Sequence, residues 1–291
     1  MKNLMQNLTT QLLGTVDAQL CPADNIIPEE HISINYGSAS AIVRKSQIEN
    51  LLSIGVTTDQ ILDSILDHIN STVADVDDLT DKISSYDKIK DLLIIRPINY
   101  PTHKDTIDDS IYQVIGDIAL VAYILIDKRD NCITSTMVKR DFATIWGIVP
   151  SQIMADAFSN CFSQDPARLL DIHRCMFDCT YAGDDIFATD TTISPSPFGN
   201  CLSTNSRTNG AVSAFYPDVL PRLSALMDDD LYLVFTSVHE VMVHPVGSGV
   251  TPSDLKNVLE ATMEEATPES DILSHHIYRF DATDKSLSVV A

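Results

Sequence analysis

The segment "SVHEVMVHP" (237–245) sets two histidines around a glutamate, which makes His239, Glu240 and His244 the first residues to weigh as a metal-dependent hydrolase. A gluzincin-type site places two histidines at i and i+4 on a helix so that both imidazoles reach one zinc ion, with the glutamate beside them as base. His239 and His244 are five apart. On a helix that spacing turns the second ring roughly 140° away from the first. The surrounding "LYLVFTSVHEVMVHPV" is β-branched and ends on a proline, which specifies a strand or a tight strand pair instead. Along a continuous strand, positions 239 and 244 have opposite parity, and one ion cannot collect both. The sequence therefore predicts no zinc site here. Val241 and Val243 should face the core, Glu240, Met242 and His244 the other side, and His239 should be a buried, hydrogen-bonded histidine.

Other chemistry-bearing patterns are weaker. Cys175 and Cys179 lie at i and i+4 with His173 nearby, but a fourth ligand is not indicated, and isolated cysteines usually behave as small buried hydrophobes. The chain contains no G-x-S-x-G elbow, no G-x-x-x-x-G-K-[ST] and no G-x-G-x-x-G, and "VGSGV" (246–250) reads as a loop. Asp184 and Asp185 could coordinate a hard cation, although acidic loops are usually just solvated. No metal and no cofactor is expected. A catalytic site, if there is one, has to be assembled from distant residues, and the candidates are Arg96, Tyr100, Ser237, His239 and Glu240.

The charge restricts partners more sharply than the motifs do. Against 41 acidic residues stand 19 basic ones, a formal net of −22. Binding to phosphate backbones or to an anionic membrane needs the opposite sign, so a basic protein partner is favoured over direct nucleic acid or membrane contact. The acids are dispersed, with one short dense run at "ADVDDLTDK" (74–82). Acidity either keeps the protein soluble or imitates a phosphate backbone. Six cysteines (Cys21, Cys132, Cys161, Cys175, Cys179, Cys201) are spread over 291 residues without a stapled module, and the N-terminus lacks an uninterrupted apolar run. Reduced thiols in a cytoplasm are expected.

The elements that must position these residues follow from periodicity. Leu4, Met5, Leu8, Leu12, Leu13 and Val16 predict a first helix, and "HISIN" and "SAIVRK" two short strands. Ser46 with Glu49 is a capping-box pattern, Gly55 a C-cap, and Thr57 with Gln60 opens a helix whose Ile61, Leu62, Ile65, Leu66 and Ile69 form one stripe. The same order returns in "MVKRDFATIWGIVPSQIM", where Gly147, Gln152 and Ile153 echo Gly55, Gln60 and Ile61. The echo fits either an internal duplication or convergent capping chemistry. "LLIIRPINY" and the apolar run 111–126 predict strands, "RDNC" (129–132) a hairpin turn into "ITSTMV", and residues 166–176 a helix. "NGAVSAFYP" reads as a strand, "DVLPRLSALMD" as a helix, Thr251 with Asp254 as the start of a final helix, and "HHIYRFD" with "LSVV" as a terminal strand pair. The expected fold class is α+β, with mixed or antiparallel sheets, strand-helix-helix units and a C-terminal α+β lobe. The expected division is 1–181, a flexible loop or linker at 182–200, and 201–291.

Four segments then look familiar: "RPINY" (96–100), "IWGIVPSQIMADAFSN" (145–160), "NGAVSAFYPDVLPRLSALMDDDLYLVFTSVHEVMVHP" (209–245) and "ILSHHIYRFD" (272–281). Together they resemble an uncharacterised domain-of-unknown-function family (5688-type) of gut Firmicutes and their mobile elements. The matching pattern is Asn209 and Gly210, Tyr216 and Pro217, then Ser237, His239, Glu240 and Val241. Two departures stand out: "DDSIYQVIGD" lacks the Pro-His pair that usually precedes the long apolar strand, and the Asp-rich loop near 184 has no counterpart. The resemblance implies an intracellular bacterial or phage-borne protein and no particular activity. The functional expectation is a non-catalytic interaction or regulatory protein. The alternatives are an acidic inhibitor of a basic groove on a nucleic-acid-handling or defence protein, and an enzyme with a site assembled from distant residues.

Overall fold

The computed structural model describes residues 2–13, 17–23, 29–36, 39–67, 82–129, 132–178, 180–193 and 199–291. Val16, Ile69, Cys179, the hairpin turn at 130–131 and most of the acidic run 74–82 lie outside the described residues. The chain divides into two compact units, Met1–Ser84 and Ser85–Ala291. The fold is α+β throughout, and its sheets are antiparallel.

The first unit contains α1 (Lys2–Leu12), a three-stranded sheet of β1 (Asp17–Cys21), β2 (His31–Tyr36) and β3 (Ala39–Arg44), then α2 (Lys45–Ser53) and α3 (58–67). β1 was not expected, since the helix ends earlier than its leucine pattern suggested. Met5, Leu8, Leu12, Ile32, Ile34, Ile48 and Ile61 are fully buried against one another, so the predicted stripe is core. The box that opens α2 is displaced from the expected pair. Gln47 Oε1 accepts from the Arg44 amide, whereas Ser46 donates through its amide and hydroxyl to Glu29 at 2.8 and 2.9 Å. The Thr57–Gln60 box forms as expected.

The second unit opens with α4 (Tyr86–Ile89) and β4 (Leu93–Asn99), followed by α5 (Tyr100–Ile107), β5 (Tyr112–Ile115), β6 (Ile118–Arg129) and β7 (Cys132–Met137). The run 111–126 is two strands, because Gly116 and Asp117 form a hairpin turn within it. Long β6 pairs with β4 along one edge and with β5 and then β7 along the other. α6 (Arg140–Trp146) and α7 (Pro150–Gln164) follow, and α7 locks onto β4 through Asn160 Nδ2, which donates to the carbonyls of Lys90 and Leu93 at 2.7 and 3.0 Å.

Both echo segments fold as strand, short helix, left-handed glycine and helix. Gly55 has φ +90 and Gly147 φ +67. At each joint the glycine amide reaches back three residues and the next amide five, from Val56 to Leu51 and from Ile148 to Ala143. That is the Schellman closure of a helix C-terminus, which a left-handed glycine permits without a Cβ clash.

The remaining elements are β8 (Ala167–Asp171), α8 (Ile172–Phe177), β9 (Asn200–Thr204), α9 (Val219–Met227), β10 (Leu231–Ser237), β11 (Glu240–Pro245), α10 (Pro252–Ala266), β12 (Ile277–Asp281) and β13 (Ser286–Val289). They build a six-stranded sheet in the order β13-β12-β10-β11-β9-β8. The stretch 182–200 thus lies between two strands that pair with each other, Leu169 opposite Leu202. Two expected elements change type. Residues 167–171 are strand rather than helix, because pairing to β9 overrides the helical propensity of "ARLLD". Gly210–Phe215 is a fully buried 3-10 turn rather than strand, up to its last residue, with Val212 bonded back to Asn209 and Tyr216 to Ser213. α10 covers β10 and β12 through Leu255, Leu259 and Met263. Among the described residues, no helix is long and apolar enough to cross a membrane.

Candidate functional site

Alternation along β4 sorts its side chains. Leu93 and Ile95 point into the core under α7, and Ile94, Arg96 and Ile98 occupy the opposite face. On that face Ile94 pairs with Tyr123 of β6, and Tyr123 pairs with Met137 of β7, so Arg96 and Tyr123 are diagonal cross-strand neighbours. The Arg96 guanidinium lies over the Tyr123 ring, 5.0 Å from its centroid, and reaches across to β7, where it donates to Ser135 Oγ at 3.1 Å. Burial pushes the Tyr123 hydroxyl above its ordinary pKa, while the guanidinium pulls the other way. Among the described residues no carboxylate pairs with Arg96.

The second wall is the β10–β11 turn. Val238 and His239 form a two-residue connection, which settles the strand-pair reading and places His239 at its tip. The turn is clamped on every side. Ser237 Oγ accepts from the His239 amide at 3.0 Å, the His239 carbonyl accepts from Ser203 Oγ at 2.7 Å, and the Val238 amide donates to the Asp271 carbonyl at 2.8 Å. Gly210 packs flat against it: a Cβ there would lie 2.1 Å from Ser203 Oγ, 2.5 Å from the His239 carbonyl and 2.9 Å from the Thr204 amide. Asn209, in the left-handed conformation, is thereby presented with its amide toward the imidazole.

This fixes the histidine's chemistry. The Asn209 amide donates to His239 Nδ1 at 3.0 Å. A backbone N–H can only donate, so Nδ1 offers a lone pair and the proton of the neutral ring sits on Nε2. Nε2 points to Asp271 Oδ2, 3.6 Å away. The Asp271 carboxylate accepts from Ser270 Oγ through its other oxygen at 3.0 Å. The expectation that His239 is buried is corrected: its side chain is 41% exposed, because a hairpin tip projects beyond the sheet.

Arg96, Asn209, His239 and Asp271 line one cleft of about 440 Å³, and His103 joins them from α5. His103 Nδ1 lies 3.1 Å from the Asn99 carbonyl, which can only accept, so that nitrogen carries a proton. Of the five predicted site residues, Arg96 and His239 meet here. Glu240 lies on the other side of the turn, in a second cleft of about 340 Å³ that His239 also borders. There Cys201 donates its thiol proton to Glu240 Oε2 at 3.5 Å. Burial pushes the Cys201 thiol well up, and the Glu240 carboxylate adds to this, so it stays a thiol. Ser237 holds the turn from behind, and Tyr100 packs on Tyr112 at 6.0 Å between ring centroids. Val241 and Val243 are buried, and Glu240 is exposed. Sequence reasoning missed Asp271, His103, Tyr123 and Ser135. Asp271 had no motif to flag it, and a strand's period sorts faces only within that strand, so Tyr123 needed the β4–β6 register to be placed beside Arg96.

The predicted acidic pair behaves differently. Asp184 accepts from the Tyr181 hydroxyl at 2.7 Å and faces Arg174 at 3.9 Å, and Asp185 faces Arg168 at 3.5 Å. Their charges are matched by cations from the same region. Among the described residues, no group of three or more His, Cys, Asp or Glu side chains has metal-holding geometry.

A sequence profile of a family of unknown function, DUF5688, matches residues 37–282. The chain belongs to this family. The matched span includes both walls of the Arg96 cleft and the clamped turn. No curated protein and no solved structure matches the chain.

Proposed function

We propose that this DUF5688 protein is a non-catalytic, regulatory binding protein whose Arg96 cleft recognises a small ligand through an anionic group, a carboxylate or phosphate. The observation that supports it is Arg96 itself, a partly buried guanidinium oriented by Ser135 and Tyr123 and left without a carboxylate. A guanidinium in that state is a preorganised anion receptor. Catalysis is disfavoured by the same geometry: Nδ1 of His239 is spent on the Asn209 amide and Nε2 carries the proton, so the ring has no lone pair for abstracting one. The bacterial mobile-element setting comes from the resemblance alone. The acidic-inhibitor alternative rests on the net charge of −22, and a complex of that kind would dissolve as salt rises.

The test is isothermal titration of the full chain with butyrate and with inorganic phosphate. Saturable binding of either, weakened tenfold or more in Arg96→Met, supports the reading. Equal binding by the two proteins overturns it, and so does no binding of butyrate, phosphate or an amino acid.

A further inference from the structure

The Arg96 cleft carries a second ionisable group, Asp271, whose charge is opposite in sign to that of Arg96. Asp271 and Arg96 line the same cavity without forming an ion pair with each other. Each is held in place by its own neighbours. Arg96 is held by the Tyr123 ring and Ser135 Oγ, and Asp271 by Ser270 Oγ and by its carbonyl, which is tied to the Val238 amide. His239 meets Asp271 only at 3.6 Å from Nε2, and its Nδ1 lone pair is taken by the Asn209 amide. Opposite charges on the walls of one small cleft attract, and when rigid neighbours keep them apart the field between them runs from guanidinium to carboxylate. The best-matched occupant is a molecule whose own dipole opposes that field.

We infer that the ligand is dipolar: it places an anionic group on Arg96 and an ammonium, or another strong donor, on Asp271, as an amino acid or short amino-acid derivative does. This rests on the anion-binding reading above and narrows it to a chemical class. A plain carboxylate would meet Arg96 favourably and Asp271 unfavourably, and a plain amine the reverse. A dipolar ligand gains at both ends.

The experiment is calorimetric titration of the unaltered full chain with glycine, β-alanine, γ-aminobutyrate and 5-aminopentanoate, each beside its matched fatty acid and alkylammonium. The length series finds the separation that spans the cleft. The expected result is that at least one dipolar ligand binds tenfold or more tightly than both of its singly charged counterparts. In Asp271→Asn, folded by its melting curve, the dipolar ligand should lose about tenfold while the matched carboxylate binds no more weakly than before. A general distortion of the cleft would weaken both. If every dipolar ligand binds no better than its carboxylate, and those carboxylates still depend on Arg96, the dipolar inference falls and the anion site stands. If no anion depends on Arg96, both fall. The ligand comparison needs no variant, so a poorly folding Asp271→Asn cannot rescue the inference.

Discussion

Two clefts of the larger unit are alike in size and differ in what their arginines face. The Asp184 cleft, about 470 Å³, and the Arg96 cleft, about 440 Å³, each combine arginine and aspartate. In the first, Arg174 stacks on the Tyr181 ring at 4.0 Å and faces both Asp178 and Asp184, while Tyr181 donates to Asp184. Burial and that carboxylate push the Tyr181 hydroxyl up to about 12. The arginine there already has carboxylates to face. In the second, an arginine stacked on a tyrosine has a hydroxyl as its hydrogen-bond acceptor, and the aspartate stands 3.6 Å from His239 Nε2. Volume would rank the two together. The arginines separate them: Arg174 already faces carboxylates, whereas Arg96 faces none among the described residues, and a guanidinium in that state can take an anion from a ligand.

The comparison breaks most visibly at Gly210. Its missing Cβ allows the 209–215 turn to lie on the His239 turn, and the three atoms a methyl would strike include two backbone atoms. Gly210→Ala should cost about 3 kcal/mol, at the upper end of overpacking penalties, and lower the melting temperature by roughly 6–12 °C for a chain of this size. It should also abolish anion binding, since Asn209 and His239 would part. A melting curve within a degree or two of the unaltered protein would show that the clamp is not rigid.

Next in size is the contrast between the two arginines. Arg96→Met should weaken butyrate or phosphate binding tenfold or more, in line with about 1.5–3 kcal/mol for a hydrogen bond to a charged group. Arg174→Met should leave that affinity unchanged, because Arg174 serves only its own cleft. Calorimetry on the two variants side by side decides the matter, and equal losses would remove the distinction between the clefts.

A smaller effect belongs to His244, which lies on β11 and lines neither of these clefts. Burial lowers its pKa below the ordinary 6.5. The unfolded chain therefore takes up this proton first on acidification, so the stability tied to His244 is complete above about 6.5 and declines as pH falls through that value toward the folded pKa. Denaturant titrations between pH 7.5 and 5.5 should show that decline, and His244→Leu should flatten it while leaving anion binding at neutral pH intact. An unchanged pH slope in the variant would assign the decline to other groups.

Much of this fold was legible in the sequence where the signals are local. The Gly55 and Gly147 joints were readable because a left-handed cap needs glycine at one position, and the Thr57–Gln60 and Thr251–Asp254 boxes because their partners are three residues apart. The β-branched run around His239 and His244 correctly predicted a strand pair in place of a helix. Legibility failed where pairing partners are distant. "ARLLD" carries helix formers and becomes β8 only because β9 lies beside it, and the short run at 211–215 buries its one polar residue, Ser213, with its neighbours, so no polar face reveals its period. The site was half legible. Arg96 and His239 were named from residue type, and Asn209 and Gly210 from the family pattern. Asp271 reaches the cleft through a backbone bond to Val238, 33 positions away, and no local pattern encodes that meeting.

The most direct test is a single nitrogen–proton correlation spectrum that reports both clefts while the best dipolar ligand, or failing one butyrate, is titrated in. The account predicts that the Arg96 side-chain Nε–H and the Asn209 amide shift together and saturate, while the Arg174 Nε–H stays in place. Arg174 moving as far as Arg96, or Arg96 and Asn209 standing still at saturating ligand, would contradict it.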